Sequence, residues 1–407
     1  MNVLFLTLVE YDSIHEKDLY TDLMRVFMRS GDHVYMISPI ERRRKKKTYL
    51  LREDNCTILR LRIGNVEKTN TIEKGVSTVL MESVFIRGIK KYFGNVKFDL
   101  VLYSTPPITL VGAVEYVKRR DRAKTYLLLK DIFPQNAVDI GMLSKSGPKG
   151  LLYRLFRAKE KRLYALSDRI GCMSPANVEY VLRNNPELKP SAVEVCPNSV
   201  EIMDKSVDAM TRAAIREKYG IPKDKTVFVY GGNLGRPQGV PFIIECLKRA
   251  DEAADAFFLI VGNGTEYAKI EDFCSRTDLS NVKLMKRLPK DDYDTMVGAC
   301  DVGLLFMDHR FTIPNFPSRI LSYMQAKLPV LACTDPNTDV GKIIVDNGFG
   351  WWCESKDPDA FLRMVHSALE SDLPAMGECS WQVLHRKYDV QDSYAVIINS
   401  LSGGKSR

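Results

Sequence analysis

The chain has 407 residues, which is too long for one hydrophobic core and predicts two domains of roughly 200 residues each. Hydrophobic residues make up 45% and charged residues 27%, and no apolar run approaches the ~18 residues that cross a bilayer, so we expect a cytoplasmic protein. The nine cysteines lack zinc-binding or disulfide spacing, so we expect no metal site. Charge is uneven: residues 1–200 hold 34 Lys and Arg against 22 Asp and Glu, while the remainder holds 25 against 29, which predicts an anionic partner for the first half.

The chain opens with a predicted βαβ unit, formed by a strand at Asn2–Leu8, a helix at Lys17–Ser30 and a strand at His33–Ser38. The loop after the first strand lacks the GxGxxG of dinucleotide-binding units, which argues against an NAD(P) or flavin enzyme. His15 and Glu16 lie on this loop, at the carboxyl end of a strand, where open α/β sheets bind ligands. They are candidates for substrate contact, and a solvated loop is the alternative.

Arg42–Lys47 is a run of six consecutive basic residues. Such a run is commonly a solvated loop, but clusters of ~4 to 8 Lys and Arg also dock on anionic lipid headgroups. The chain continues with predicted helices at Val79–Phe93 and Ile108–Lys118 and strands at Leu100–Ser104 and Thr125–Lys130. The pattern remains βαβ, which is typical of a parallel sheet.

The last of these strands ends in KDIFPQNAVDIGM, which places Lys130 and Asp131 at its carboxyl end. Asp131 is either the N-cap of a following helix, a position that Asp often occupies, or a catalytic or acceptor-binding group at the ligand edge of the sheet. Sequence alone leaves both readings open.

A basic amphipathic helix is predicted next. Six Lys or Arg and one Glu lie between Lys149 and Arg162, with leucines along another side. Such a helix can pack on a core, but Tyr153, Phe156 and Tyr164 among the cations are also typical of shallow membrane contact. The first domain is expected to end near residue 200, after a strand that begins at Val193.

The sheet of the second domain begins with a strand that is followed by a glycine-rich loop, VFVYGGNLGRPQG at Val227–Gly239. A helix is predicted next, at Val240–Ala250. Glycines allow close backbone approach, a helix N-terminus attracts anions, and Arg236 adds a positive fork. The segment therefore predicts a binding site for a nucleotide diphosphate, with an ordinary strand-to-helix turn as the alternative.

A second anion site is predicted in Ile313–Ala332, IPNFPSRILSYMQAKLPVLA. Its Pro-Ser opening precedes a helical run, so the amides near Ser318 and Arg319 should lie at a helix N-terminus opposite Arg236. Between the two sites, further strands and helices predict a second Rossmann-like half.

Five motifs occur in order: PNSVE, GGNLGRPQG, IVGNG, LPKDDYDTMVGACDVGLLF and NFPSRILSYMQAKLPVLA. With them, the chain resembles the retaining glycosyltransferases of family four. It is most similar to the bacterial branch that builds capsular polysaccharide, exopolysaccharide and O-antigen. The resemblance implies an α/β protein of two Rossmann-like domains facing each other across a cleft, the GT-B fold. The expected acceptor domain is 1–200 and the donor domain 201–384, with a helix at about 385–403 that could pack back onto the first domain.

The resemblance implies that the second domain holds a nucleotide diphosphate sugar and the first a lipid-linked glycan acceptor, with a retaining, hexosyltransferase-like reaction and no cofactor or metal. The implied catalytic residues are Asp131, Arg236 and Arg319. The implied donor-binding residues are Gly232, Asn233, Gln238, Asn263, Leu288, Pro317, Ser318 and Ser322. The candidate acceptor-binding residues are His15, Glu16 and Lys130. We further expect a peripheral position on the inner face of the cytoplasmic membrane and no nucleic-acid partner.

Three departures accompany the resemblance. The Glu-x7-Glu pair common in the family is replaced by Pro314 and Ser322, and the Gly before the PV strand is Lys327. The cations usual in the phosphate loop are replaced by Asn233 and Gln238. The alternatives are therefore a catalytically silent, membrane-associated subunit and a nucleotide-sugar 2-epimerase.

Overall fold

The structure is a computed structural model that describes residues 1–66, 71–106, 108–277 and 279–402, with side chains described outside 71–79. The chain divides into two compact units. The first unit holds Met1–Glu201 and the chain from Val390 onward, and the second holds Ile202–Asp389. The second unit ends at Asp389, five residues beyond the expected end of the donor domain at residue 384, and the chain returns to the first unit at Val390. In the described part of the chain, no helix is both long and apolar enough to cross a membrane.

The first unit is an α/β sandwich around one mainly parallel sheet. Its strands are β1 Asn2–Leu6, β2 His33–Glu41, β3 Tyr49–Glu53, β4 Cys56–Ile63, β5 Leu100–Ser104, β6 Lys124–Leu129, β7 Arg169–Cys172 and β8 Val193–Val195. Its helices are α1 Leu19–Arg29, α2 Thr71–Tyr92, α3 Val111–Asp121, α4 Gln135–Asp139, α5 Gly147–Leu166 and α6 Pro175–Asn184. Over the described residues, the sheet order is β3-β4-β2-β1-β5-β6-β7-β8, and only the β3–β4 pair is antiparallel.

The antiparallel hairpin of β3 and β4 is absent from the sequence-based prediction. Its turn is Asp54-Asn55, with Asp54 at a φ of 48°, a left-handed conformation that these two residue types tolerate. The preceding basic run, Arg42–Lys47, is exposed as expected, and its first three residues form a 3-10 turn. The run therefore leads into an edge strand and not into a further βαβ unit.

The second unit is built on a fully parallel sheet. Its strands are β9 Thr226–Asn233, β10 Ala256–Asn263, β11 Val282–Lys286, β12 Val302–Phe306, β13 Val330–Thr334 and β14 Gly350–Glu354. Its helices are α7 Ala209–Lys218, α8 Val240–Leu247, α9 Tyr267–Arg276, α10 Lys290–Gly298, α11 Ile320–Gln325, α12 Val340–Asp346, α13 Pro358–Leu369 and α14 Leu373–Lys387. The sheet order among the described residues is β11-β10-β9-β12-β13-β14.

Continuous apolar strands explain the parallel sheet of the second unit, because such strands are covered by helices on both faces. Phe228 of β9 stacks on Phe258 of β10 with ring centroids 5.4 Å apart. Phe361 of α13 packs against Phe258 and against Phe306 of β12, at 5.9 and 6.1 Å. These rings form the centre of the core and hold the strand ends in register.

The last described helix, α15 Val390–Leu401, belongs to the first unit. It packs on α1, where Tyr394 meets Phe27 edge-to-face with centroids 4.8 Å apart. The sequence places this helix at about 385–403, but α14 ends at Lys387 and α15 begins at Val390, while residue 403 lies outside the described residues.

Candidate functional site

The strand order creates a reversal point in the second unit. From β9, the strands β10 and β11 follow on one side, and β12, β13 and β14 follow on the other. Open parallel sheets bind ligands outside the carboxyl ends of the strands at such a reversal. The loop after β9 carries Arg236 and the loop after β12 carries Arg319. The two arginines predicted to hold a diphosphate therefore follow the two strands that flank the reversal.

The loop after β9 is held by its own polar atoms. Gln238 Oε1 accepts hydrogen bonds from Asn233 Nδ2 and from the Gly235 amide, both at 3.1 Å. The Tyr230 hydroxyl donates to the Asn233 carbonyl at 2.6 Å. Asn233 and Gln238 were expected to line the donor site, and the structure shows that their side chains bond to each other and fix the loop. Their contact with a ligand stays a prediction.

Gly232 allows an arginine to lie directly on the backbone of this loop. Its φ is 133°, and a Cβ at this position would lie 2.2 Å from Arg319 Nη2. The Arg319 guanidinium carbon also lies 4.3 Å from the centroid of the Tyr230 ring. The guanidinium therefore lies against both the backbone of Gly232 and an aromatic ring.

Arg319 has no ion-pair partner: over the described residues, no carboxylate lies within ion-pair distance of it, and the titratable groups around it are three tyrosines. Burial raises the pKa of Tyr230, Tyr293 and Tyr323, so all three phenols are neutral near pH 7. The positive charge is thus uncompensated. An anion that reaches this place gains a charge-assisted interaction without having to displace a carboxylate.

Arg236 differs from Arg319 in its surroundings. It is exposed and begins a single 3-10 turn, Arg236–Gln238. Ser318 is exposed and Pro317 half-buried, and both precede α11. The expected helix begins directly after these residues, with Arg319 in the N-cap position, but α11 has only six residues, Ile320–Gln325. So short a helix provides less than two turns of aligned dipoles, and attraction of an anion falls mainly to the two arginines.

The remaining candidate donor residues lie at or beside the same sheet edge. Asn263 ends β10, pairs in register with Asn233 and is exposed. Leu288 is half-buried in the loop after β11, the strand next to β10. Ser322 lies on α11, and its hydroxyl is buried without a hydrogen-bond partner in the described part of the chain. The fold brings the loops of three strands together, and contact of these side chains with the donor stays a prediction.

Asp131 lies at the ligand edge of the first unit, where the strand order reverses between β1 and β5 and β6 follows β5. Asn136 Nδ2 donates to Asp131 Oδ2 at 2.5 Å, and Thr105 Oγ1 donates to the Asp131 carbonyl at 2.9 Å. Burial raises the pKa of Asp131 to about 7. The N-cap alternative is wrong, because α4 begins at Gln135 with Pro134 in the cap position.

The Lys130 side chain makes structural hydrogen bonds in the first unit. Its ammonium donates to the carbonyls of Cys196 and Pro197 at 3.3 and 3.2 Å, and burial lowers its pKa. These bonds tie the end of β6 to the segment that follows β8. Acceptor binding by Lys130 stays a prediction, with one ammonium hydrogen left for it.

His15 and Glu16 both lie on the exposed loop after β1, as expected. Glu16 Oε1 accepts from the amides of Asp12 and Ser13 at 2.5 and 3.0 Å, so the carboxylate shapes its own loop. His15 Nε2 lies 3.4 Å from Asp54 Oδ2 in the turn between β3 and β4. These contacts agree with the solvated-loop alternative, and substrate contact by His15 and Glu16 stays a prediction.

The tyrosines under Arg319 are the residues that sequence analysis misses. Tyr230 ends the apolar run VFVY and reads as one more buried strand residue, and Tyr323 reads as a core position of a helix. Both are fully buried. The available signal is weak: a tyrosine in place of an aliphatic residue at the end of a strand carries a polar atom that needs a partner.

Comparisons with known proteins bear on this site. Residues 211–379 match the family model described as "Glycosyl transferases group 1". The glycosyltransferase WbjE of Pseudomonas aeruginosa is 26% identical over 335 residues, which cover 79% of this chain and 78% of the relative. WcaI of Escherichia coli strain K12, a glycosyl transferase of colanic acid biosynthesis, is 22% identical over 316 residues, covering 75% and 74%. These matches support a glycosyltransferase group 1 domain and glycosyltransferase activity, as the sequence predicts at that level.

Solved structures agree on the fold. Sucrose-phosphate synthase from Thermosynechococcus elongatus superposes with a TM-score of 0.77 at 12% identity, covering 98% of both chains. HepE of Anabaena, in complex with UDP and glucose, superposes with a TM-score of 0.69 at 12% identity, covering 99% of this chain and 100% of the other. The predicted α/β class with two Rossmann-like sheets, the GT-B fold, is confirmed.

Proposed function

We propose that this chain transfers a sugar from a nucleoside diphosphate sugar to a glycan acceptor with retention of anomeric configuration. The observation that carries the proposal is Arg319, a fixed cation without a carboxylate partner in the described part of the chain, at the strand reversal of the second unit. HepE, similar in fold, was solved with UDP and glucose, which supports a nucleotide sugar as the donor class.

The proposed chemistry is stabilisation of a leaving group. The bond between the sugar anomeric carbon and the diphosphate oxygen breaks, a bond from the acceptor hydroxyl oxygen forms, and the hydroxyl proton passes to the departing diphosphate. Arg319 and Arg236 stabilise the negative charge that develops on that diphosphate. Because the departing group itself takes the proton on its own face of the sugar, no protein base or metal carboxylates are needed there. Among the described residues, no group of three or more His, Cys, Asp or Glu is placed to hold a metal.

The test is a transfer assay with the purified chain, a panel of nucleotide sugars and excess chelator. We expect sugar transfer or slow donor hydrolysis with chelator present, and a product of the same anomeric configuration by NMR. An inverted product would reject retention, and activity restored only by magnesium or manganese would reject the metal-free chemistry. Donor binding without any turnover would favour the catalytically silent subunit, and conversion of the donor into its 2-epimer would favour the epimerase.

For the acceptor we propose a lipid-linked glycan of bacterial surface polysaccharide biosynthesis, reached from the inner face of the cytoplasmic membrane. The first unit carries an exposed leucine surface, which we define as Met142, Leu151, Leu152 and Leu155. The Leu151 and Leu155 side chains are 60% and 57% exposed, which is unusual for leucines on one helix, α5.

The apolar contact predicted from the aromatic residues of α5 needs correction. Tyr164 is buried and donates its hydroxyl to Glu160, because it faces the core. Phe156 is half-buried and packs on Phe133 at a centroid distance of 5.1 Å. The exposed large apolar side chains of α5 are leucines, so the leucine surface takes the place of the aromatic contact in the proposal.

Charge complementarity supports an anionic bilayer as the partner of the leucine surface. Lys149, Arg154 and Lys159 of α5 are exposed and have no carboxylate within ion-pair distance among the described residues. Each basic residue near an anionic surface contributes ~1 kcal/mol. Partial insertion of leucines together with several such charges gives reversible binding without a spanning helix.

Co-sedimentation with vesicles tests the membrane arm. We compare the native chain, Leu151→Ser with Leu155→Ser, and Lys149, Arg154 and Lys159 all changed to Ser, with Val345→Ser of the second unit as the control, an exposed valine. The leucine variant should bind vesicles of anionic lipid roughly 10-fold more weakly, since two half-inserted leucines contribute ~1.5 kcal/mol. Equal sedimentation with neutral and anionic vesicles, or native binding by both variants, would reject the membrane surface.

A further inference from the structure

One aromatic ring connects the two elements of the donor site in the second unit. The face of Tyr230 lies under the Arg319 guanidinium at 4.3 Å, and its hydroxyl donates to the Asn233 carbonyl at 2.6 Å. Arg319 comes from the loop after β12 and Asn233 from the end of β9. The same fully buried side chain therefore fixes a cation and the loop that carries Arg236.

We propose that Tyr230 is a positioning residue that sets the place and plane of the Arg319 guanidinium for the diphosphate of the donor. This inference rests on the proposed function and goes one step further, because it assigns the affinity for the diphosphate in part to a residue that no ligand touches. The guanidinium lies over the ring, and Gly232 leaves room for it because a Cβ at that position would lie 2.2 Å from Arg319 Nη2.

An aromatic support suits an anion site better than a carboxylate would. A cation over an aromatic face is attracted by the ring quadrupole, and the attraction strengthens when the pair is shielded from water. The ring carries no net charge, so the guanidinium keeps its full charge for the ligand. A carboxylate at the same place would hold the arginine but would neutralise it, and an anionic ligand would have to compete with it.

Arginine is the cation that such a support requires. Its guanidinium is planar and stacks on an aromatic ring while its edges still donate hydrogen bonds, in the fork that matches two phosphate oxygens. A lysine would keep the charge but would lose the stacking plane. The exchange of Arg319 for Lys therefore separates charge from position.

The competing explanation is that Tyr230 is only a core residue. It packs on Phe306 at a centroid distance of 5.7 Å and belongs to the hydrophobic core of the second unit. A purely structural residue would affect every ligand of the unit alike, and would lower stability without regard to phosphate. A positioning residue affects a ligand with a diphosphate and spares a ligand without one.

The experiment measures dissociation constants by calorimetry for the full chain and four variants: Tyr230→Leu, Tyr230→Phe, Arg319→Ala and the double variant Tyr230→Leu with Arg319→Ala. The probes are whichever of UDP, GDP and ADP binds the native chain most tightly and the corresponding nucleoside. We expect Tyr230→Leu to weaken diphosphate binding about 5- to 30-fold and nucleoside binding less than about 2-fold, in line with a shielded cation–π contact. Tyr230→Phe retains the ring and should weaken diphosphate binding by less than about 3-fold.

The double variant decides the mechanism, since Tyr230→Leu should add nothing once Arg319 is absent. Additive losses, or equal losses for diphosphate and nucleoside, would overturn the positioning role while the proposed function stands. Unchanged diphosphate binding in Arg319→Ala would instead overturn the donor site itself. Should Tyr230→Leu fail to fold, Arg319→Lys replaces it: the positioning role requires at least a 5-fold loss of diphosphate affinity, and near-native affinity would reject it.

Discussion

Both units are built on a mainly parallel sheet, but the side chains at the carboxyl edges of the two sheets differ in charge. In the second unit the reversal edge carries Arg319, whose charge has no carboxylate partner among the described residues. In the first unit the edge carries Asp131, whose charge is suppressed because burial raises its pKa to about 7, and Lys130, whose ammonium is bonded to backbone carbonyls. Strand order decides where a ligand edge lies, and the immediate surroundings decide the charge found there.

Net charge alone would have predicted a cationic ligand edge in the first unit and an acidic one in the second. The first half of the chain is basic, with 34 Lys and Arg against 22 Asp and Glu, yet its edge holds a suppressed acid. The second half is acidic, with 25 against 29, yet its edge holds an uncompensated cation. Total charge describes the surface that faces distant partners, such as a membrane, whereas the site is set by a few side chains within about 5 Å.

The largest expected effect separates the two donor arginines. Arg319→Ala should weaken binding of a nucleoside diphosphate about 10- to 150-fold, because it removes the charge-assisted interaction of a half-buried arginine that no carboxylate among the described residues neutralises, ~1.5 to 3 kcal/mol. Arg236→Ala should weaken it only about 2- to 5-fold, because Arg236 is exposed and its interaction is screened by water and salt. Calorimetry at low and high salt measures both, with the exposed Arg276→Ala on α9 as the matched control.

Equal losses in the two variants would contradict this ranking, and the argument from burial with it. A ranking reversed in favour of Arg236 would move the diphosphate from the Arg319 side to the exposed turn. The control variant should bind like the native chain, and a loss there would mean that any arginine of the unit attracts the probe.

The intermediate effect concerns Asp131, the acid of the first unit. Its folded pKa of about 7 lies above the ordinary value of 3.8, so the folded state retains a proton that the unfolded state has lost. The stability that this proton contributes is fully present below about pH 3.8, is lost progressively as pH rises from there to about 7, and changes no further at higher pH. Asp131→Asn mimics the protonated side chain and should remain stable across this range.

Thermal midpoints at pH 5, 6.5 and 8 measure this difference. We expect Asp131→Asn to gain roughly 1 to 4 kcal/mol over the native chain between pH 5 and pH 8, with most of the gain below pH 7, which is several degrees for a unit of this size. Asp139→Asn, on the neighbouring helix α4, is the control. A constant difference between Asp131→Asn and the native chain at all three pH values would remove Asp131 as the suppressed charge of the first unit.

The fold was predictable from the sequence where apolar runs are continuous. Strands such as VFVY and AFFLIVGN are buried on both faces, and their spacing with helices allows only a parallel sheet. The β3–β4 hairpin was missed, although Asp54-Asn55 between two apolar stretches is a hairpin signal. Local patterns therefore predicted most strands, and one hairpin signal was overlooked.

The candidate site was predictable in place but not in detail. Strand ends placed Arg236 and Arg319 correctly at one edge, since the position of an edge follows from strand order. The support of Arg319 by Tyr230 was not predictable, because it joins residues distant in sequence, and nothing local marks a tyrosine as the partner of a remote arginine. The short length of α11 was also not predictable. The helix ends at Gln325, and Lys327 just beyond it has the left-handed conformation in which a sequence normally shows glycine.

The smallest expected effect concerns the C-terminal cap of α11, and it tests whether this cap positions Arg319. Lys327 has a φ of 54°, and the amides of Lys327 and Leu328 donate to the carbonyls of Met324 and Tyr323 at 3.1 and 3.0 Å, which is a Schellman cap. The Lys327 ammonium also bonds Asp204 at 2.8 Å. Lys327→Gly relieves the left-handed backbone by ~1 kcal/mol and loses a partly exposed ion pair of similar size, so stability should change by less than about 1 kcal/mol.

Lys327→Ala loses the ion pair without relieving the backbone, and should unfold about 1 to 2 kcal/mol more easily than Lys327→Gly. Both variants should bind a nucleoside diphosphate as the native chain does, because Arg319 is held by Gly232 and Tyr230 and not by the cap of the helix that follows it. Denaturation curves and calorimetry on the same preparations measure the two quantities. If diphosphate affinity instead falls together with stability, α11 positions Arg319. The uncompensated cation would then depend on the geometry of this helix and not on the Tyr230 ring.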